Sequence, residues 1–299
     1  MENIHSLTTE TVNPDTKDID QVDTLTMLKK INNEDKKVAE AVEKELPQIA
    51  KAVDLMKERF LNGGRIIYAG AGSSGRMGTL DAVELTPTYN VDPSLAFGLM
   101  AGGKEAMYRA IEGAEDSKEL AIHDLKDVNL SEKDIVIGIA ASGRTPYTIS
   151  ALEYGNQVHA LTIAVTCNGE SEMAKVASIS IAPIVGPEVI SGSTRMKAGT
   201  AQKMVVNMLS TATMIASGKV YQNYMVNVQP TNEKLVIRAT NMIASITGVA
   251  YEEASKLLQA SGMSVAAAIL MHDKHVDKEK AHQVLSSCHG KVSEALKLL

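Results

Sequence analysis

The chain has 299 residues, 44% hydrophobic and 22% charged, with a formal net charge of -6 at pH 7. That length supports a large buried core in one or two domains, and the composition is that of an ordinary globular protein. The acidic balance, the 3% aromatic content and the lack of Trp exclude a basic or base-stacking nucleic-acid surface. Cys167 and Cys288 are far apart, which argues against a disulfide or a cysteine-based zinc site and for a reducing, cytoplasmic compartment. The polar, acidic N-terminus has no signal-peptide pattern. No apolar run reaches the ~18 residues of a membrane span, so neither nucleic acid nor a membrane is an expected partner.

Residues 1 to about 20 are polar and aperiodic and read as an extended arm. Over residues 23–60 apolar positions recur at helical spacing, as in Val38, Val42, Leu46, Ile49, Val53 and Met56, until Asn62, Gly63 and Gly64 stop the helix. Apolar strands are predicted at 65–69, 135–140, 160–165 and 179–184, with a weaker candidate at 94–100. Each leads through a small polar loop into a helical segment. Such near-continuous apolar strands between helices predict a parallel sheet sandwiched by helices, Rossmann-like in its αβα layering. A long helix is expected over 200–217. After about Tyr221 the pattern becomes purely helical, and residues 251–299 read as a small three-helix tail. The expected division is an arm and helix over 1–60, a ligand-binding α/β domain over 61–225 and a helical tail over 226–299.

In a parallel sheet ligands bind outside the carboxyl ends of the strands. The loop after the first strand, GAGSSG at 70–75, satisfies the G-x-G-x-x-G spacing of a dinucleotide fold. That fingerprint also needs an acidic residue closing a second strand, and Asp92 precedes Pro93 and follows no apolar strand. A second loop, ASGRTP at 141–146, repeats the small, hydroxyl-bearing design. Two such loops suit a single phosphomonoester, whose oxygens take donors from Ser73, Ser74, Ser142 and Thr145 and from backbone amides at Gly75 and Gly143, with two helix N-termini adding positive field. The plainer alternative is a pair of Ser-capped strand-to-helix turns. A third Gly/Ser/Thr-rich segment over 186–200 adds Ser193 and brings Arg195 and Lys197 to the same end of the sheet.

Two carboxylates stand out. Pro87 disfavours helix in the residue before it, which puts Glu84 near a helix C-terminus, where the negative end of the dipole disfavours ionisation and suits a proton donor. Glu115 precedes a helix start that reads as capped by Asp116, with Glu119 completing a variant capping box. The positive field there suits a general base. Environments that push two carboxyl pKa values apart make an acid/base pair, although spacing alone does not bring the two together.

These segments, together with ETVNP at 10–14, NNED at 32–35, IYAGAGSSGR at 67–76, LDAVELTPT at 80–88, AGG at 101–103, EGAED at 112–116 and GSTRMKAGT at 192–200, resemble the N-acetylmuramic acid 6-phosphate etherase family. That family is related to the glucokinase regulatory protein and built on the sugar isomerase (SIS) domain. The resemblance runs from about residue 10 into the tail, which looks like the family's ubiquitin-associated-like (UBA-like) domain. It implies that Glu84 is the proton donor and Glu115 the second catalytic carboxylate. It further implies a sugar-phosphate substrate, a homodimer, and neither metal nor organic cofactor. The reaction implied is cleavage of the D-lactyl ether of N-acetylmuramic acid 6-phosphate. A sugar-phosphate isomerase and a non-catalytic sugar-phosphate sensor are the alternatives on the same fold.

Overall fold

A computed structural model describes residues 8–299. Its centre is a five-stranded parallel sheet in the order β2-β1-β3-β4-β5, formed by β1 (Ile66–Gly70), β2 (Ala96–Met100), β3 (Ile135–Ile139), β4 (Leu161–Val165) and β5 (Ile179–Ile181). Every residue of β1, β3 and β4 is buried, which is why these strands read as unbroken apolar runs rather than alternating ones. The register is in phase: Gly70 pairs with both Met100 and Ile139, and Ile139 with Val165. The loops that leave these strands therefore start at one level. β5 stops three residues short of the expected 184, because the chain reaches Pro183, which has no N–H to give the ladder.

The single helix expected over 23–60 is two, α1 (Thr24–Glu43) and α2 (Leu46–Leu61). Pro47 enters the first turn of α2, where its missing N–H is harmless, whereas inside a continuous helix it would clash with the preceding turn. Asp23 caps α1 by accepting from the Leu25 and Thr26 amides. Of the expected arm, residues 1–7 lie outside the described residues. The remainder lies against the 187–189 segment: Asn13 Nδ2 donates to the Pro187 carbonyl and Thr16 Oγ1 to that of Val189.

The helices after the strands are α3 (Gly72–Tyr89), α4 (Lys118–Asp127), α5 (Pro146–Gln157), α6 (Glu172–Val176) and α7 (Lys197–Ala216). Helix α3 continues through Pro87 and ends at Tyr89, followed by Asn90, which takes a positive φ. The carbonyl that Pro87 leaves without a donor falls at Val83, on an exposed part of the helix. The cap of α4 is Ser117, whose Oγ accepts from the Leu120 amide, so Asp116 is not the capping residue. Helix α7 starts three residues before the expected position, because the Glu188 carboxylate accepts from the Lys197 and Ala198 amides and supplies the missing N-cap from upstream in the loop that leads into the helix.

The chain divides into two compact units, one holding residues up to 82 and 94–210, the other 83–93 and 211–299. The second unit is helical: α8 (Glu233–Thr247), α9 (Tyr251–Ala260), α10 (Val265–Lys274), α11 (Lys278–Ser287) and α12 (Val292–Leu298). Its core is the apolar run Val265–Leu270 of α10, buried among Met242, Ile243, Leu258 and Leu285. The three helices expected over 251–299 are thus followed by a fourth, short α12. Among the described residues no single helix is long and apolar enough to cross a membrane.

Asp134 ties the start of the sheet together. Its carboxylate accepts from the Arg65 backbone N–H, Nε and Nη2 and from the Ser131 amide and hydroxyl. Burial alone would raise its pKa, yet the Arg65 and Ser131 hydrogen bonds hold it below the ordinary aspartate value. A depressed folded-state pKa means stability that is fully present above the unfolded value near 4 and lost as pH falls through the lower folded value. Asp134→Ala is expected to cost about 2–3 kcal/mol at neutral pH. The difference from wild type should shrink below about pH 4, as measured by urea denaturation across pH.

Candidate functional site

The strand order places a topological switch point at the β1/β3 boundary. The crossover through α3 carries the chain from β1 to β2 on one side, and that through α5 carries it from β3 to β4 on the other. The two connections diverge, and a crevice opens at the carboxyl ends of these adjacent strands. Both Ser-bearing loops leave the sheet there. Gly72 takes a φ of +52° and Ser73, Ser74 and Gly75 form the first turn of α3. A Cβ on Gly75 would lie 2.7 Å from the Gly70 carbonyl oxygen, so helix and strand approach more closely than any side chain permits.

The second loop is built as tightly. Gly143 has a φ of +68°, and a Cβ there would fall 2.3 Å from the Ser171 Cβ. Ser142 Oγ accepts from the Arg144 amide at 3.3 Å. Thr145 occupies the N-cap position of α5 but makes no side-chain capping bond, leaving its hydroxyl unused in the role the plainer reading would give it. Behind the loop, Asn168 Nδ2 donates to the Ala141 carbonyl at 2.9 Å. Thr166 Oγ1 donates to the same oxygen at 3.2 Å. The structure therefore brings Ser73, Ser74 and Gly75 to one strand end and Ser142, Gly143 and Thr145 to its neighbour. The acidic residue of a dinucleotide site is missing: β2 ends at Met100 and runs into Ala101, Gly102 and Gly103.

The third segment folds as a compact turn in which the Ser193 amide donates to Ile190 and the Met196 amide to Ser193. Its two cations separate. Arg195 is exposed, whereas Lys197 is buried and donates to Glu34 Oε2 at 2.6 Å and the Val185 carbonyl at 2.8 Å. Lys197 is therefore committed to an internal pair, correcting the expectation that it offers charge at the sheet edge. Burial raises the Glu34 carboxyl, but the bonds from Lys197 and Lys37 outweigh it and hold the pKa below the ordinary value. Cys167 is no nucleophile: burial and then the nearby Glu188 charge push its thiol up to about 12.

Of the two carboxylates, Glu115 has the setting that helix-end reasoning predicted, two residues before the Ser117 cap of α4, and Glu84 does not. Glu115 lies within a 3-10 turn, Ala114–Asp116, that follows the positive-φ Gly113. It lines a cavity of about 220 Å³ over the ends of β1 and β2, with Gly72, Arg76, Met100 and Ile111 among the other walls. Arg76 holds that wall by donating from Nη2 to the Ala106 carbonyl at 2.6 Å and from Nε to that of Met107 at 3.1 Å. Glu84 is exposed in the body of α3, five residues before the helix ends at Tyr89. It does not sit at a helix C-terminus, and it is not among the residues lining this cavity.

Sequence reasoning gave no role to Asp81, one turn before Glu84. Its buried carboxylate accepts from Tyr68 Oη, Asn207 Nδ2 and Ser210 Oγ. Burial raises its pKa despite these donors. The cluster locks α3 against β1 and α7. Gln202, also missed, is buried on α7 with its Oε1 2.9 Å from Ser74 Oγ.

Residues 48–156 match the glucokinase regulatory protein N-terminal SIS domain family, and residues 117–212 the SIS domain family. The chain is 61% identical to N-acetylmuramic acid 6-phosphate etherase 1 of Enterococcus faecalis over 98% of either chain. It is 60% identical to N-acetylmuramic acid 6-phosphate etherase of Clostridium botulinum, over 98% of this chain and 97% of that one. Among solved structures it is similar to a phosphoheptose isomerase from Francisella tularensis, at 18% identity and a TM-score of 0.48, covering 64% of this chain and 98% of that one.

The tight second loop yields a test. Gly143→Ala combines a strained φ with a clash against the Ser171 and Thr166 side chains and is expected to cost about 1–3 kcal/mol. It should also weaken inorganic-phosphate binding, read by calorimetry alongside thermal melts. Gly113→Ala has an equally positive φ but no neighbour within 4 Å of the added Cβ, and should lose less stability.

Proposed function

Because this chain belongs to the N-acetylmuramic acid 6-phosphate etherase family, we propose that it cleaves the D-lactyl ether of N-acetylmuramic acid 6-phosphate with water, giving N-acetylglucosamine 6-phosphate and D-lactate. The observation that carries this reading is the pair of hydroxyl-bearing loops at the ends of adjacent strands, beside a cavity walled by Glu115. It is supported by relatives of that name at 56–61% identity over nearly the whole chain. The sugar phosphate is held through its phosphate by the hydroxyls of Ser73, Ser74, Ser142, Thr145 and Ser193, which meet anionic oxygens with donors; Gly75 and Gly143 shape the two loops, their own amides donating to the Ala71 and Ala140 carbonyls.

With the sugar in its open-chain form, the C1 aldehyde acidifies the C2 proton. Glu115 removes that proton, the electron pair forms the C2–C3 double bond, and the C3–O bond breaks. Glu84 protonates the departing lactate oxygen, and water then adds its oxygen to C3 and a proton to C2. Elimination followed by hydration is redox-neutral, so the scheme needs no redox cofactor, and the roles in it are carried by side chains alone. The working unit is a homodimer in the cytoplasm, serving the recycling of cell-wall amino sugars. A dimer is supported by the apolar part of α3 beside Glu84, where Leu80 and Val83 are 51% and 62% exposed, a surface that a second copy would cover.

Glu84→Gln and Glu115→Gln should each lower lactate release at least about a hundredfold, the scale of losing one acid or base, while still binding N-acetylglucosamine 6-phosphate. Wild-type turnover in either variant would sink the assignment. In heavy-oxygen water the label should enter at C3 of the sugar, and labelled lactate would show a different bond being cut. Sedimentation should give twice the 32.0 kDa chain mass, and a monomer at working concentration would remove the dimer.

A further inference from the structure

We propose that Gln202 is a positioning residue for substrate phosphate: its side-chain amide donates to Ser74 Oγ and so leaves the Ser74 hydroxyl proton free to be given to the phosphate. The proposal rests on the reading of Ser74 as a phosphate ligand. Gln202 belongs to α7, 128 residues away from Ser74 in sequence, and is only 1% exposed. As oriented, its Oε1 accepts from Ser74 Oγ at 2.9 Å, and its Nε2 is buried with no hydrogen-bond partner. That arrangement is unfavourable twice over. A buried amide nitrogen carries two donors, and leaving them unpaired costs the desolvation of the group. The Ser74 proton is meanwhile spent inside the protein, where a phosphate needs donors and nothing else.

Oxygen and nitrogen of a side-chain amide occupy nearly the same space and are told apart by their hydrogen bonds. Turning the Gln202 amide over resolves both difficulties. Nε2 then donates to Ser74 Oγ, and 2.9 Å lies at the usual length of an N–H···O bond rather than that of the shorter O–H···O bond. The group left without a partner is a carbonyl-type oxygen, which buried sites tolerate better than an orphaned N–H. Ser74, accepting from below, directs its own proton outward from the first turn of α3, where the dipole already favours an anion. Gln202 thereby joins the third polar segment, through the helix that segment opens, to the first phosphate loop.

The experiment measures binding of N-acetylglucosamine 6-phosphate, with unphosphorylated N-acetylglucosamine as the control, by calorimetry. It compares wild type, Ser74→Ala, Gln202→Met, Gln202→Glu and the Ser74→Ala/Gln202→Met double variant, with melts to follow folding. Met keeps the volume and removes the amide. Glu is isosteric and, when ionised, only accepts, so it then takes the Ser74 proton for itself. Gln202→Met and Gln202→Glu are each expected to weaken the phosphorylated sugar about tenfold, the scale of one hydrogen bond to a charged group, and to leave the control unchanged. The double variant should bind within about twofold of Ser74→Ala, since partners in one network are not additive. Wild-type affinity in Gln202→Glu would show that the amide oxygen faces Ser74 and would overturn the proposal. So would additive losses in the double variant. If Ser74→Ala itself binds as wild type does, the phosphate-loop reading fails and the role of Gln202 fails with it. If Ser74→Ala weakens binding and Gln202→Met does not, the role of Gln202 alone is lost.

Discussion

The polar bonds along α7 are the constraint on which the first compact unit depends. A helix that crosses a protein interior offers its first amides and every polar side chain to a medium that cannot solvate them, so each needs a partner inside the fold. Glu188 takes the opening amides of α7, Lys197 reaches Glu34 on α1, and Gln202 meets Ser74 on the first loop. Further along, Asn207 and Ser210 converge on Asp81. Removing one member of such a set leaves a buried group unpaired, which costs more than the bond itself contributed. The same set fixes the angle at which α3 leaves β1, and with it the direction in which Ser73 and Ser74 face.

The fold was largely legible in the sequence because its sheet is buried on both faces. Unbroken apolar runs at β1, β3 and β4 can belong only to a covered parallel sheet or a buried helix, and their length favours strands. Boundaries were lost where a single residue or a distant partner decides them. Pro47 splits one helical stretch into two, Pro87 fails to end α3, and Glu188 extends α7 backwards by capping it from nine positions upstream. The first two show that proline acts through its position in the turn, which periodicity does not specify. The third shows that a cap supplied from elsewhere in the chain leaves no local signal.

The candidate site divides in the same way. Its loops were visible because glycine and serine at strand ends carry local information, and the tight approaches at Gly75 and Gly143 supply the reason only glycine fits there. The helix-end placement of the carboxylates was right for Glu115, which just precedes the start of α4, and wrong for Glu84, which is inside α3 rather than at its end. The family membership of the chain stands on long ordered motifs and full-length relatives, not on those helix ends. Lys197 carries a further lesson. A lysine in a Gly/Ser/Thr-rich loop looks like a phosphate ligand, but its stem and ammonium are buried against Glu34 and Val185, where it holds the loop instead of a ligand.

The N-terminal arm also bears on the order in which the protein can be made. Asn13, Thr16 and Glu34 find their partners at Pro187, Val189 and Lys197, between 163 and 174 residues downstream. At ribosomal speeds of about 5–20 residues per second, roughly ten to thirty seconds separate the synthesis of the two sides. During that interval α1 has a carboxylate without its lysine and the arm has donors without their acceptors. Docking of the arm is therefore a late event in the nascent chain. It reports that the segment leading into α7 has emerged, and a ribosome stalled before that point holds a chain whose first helix is still unanchored.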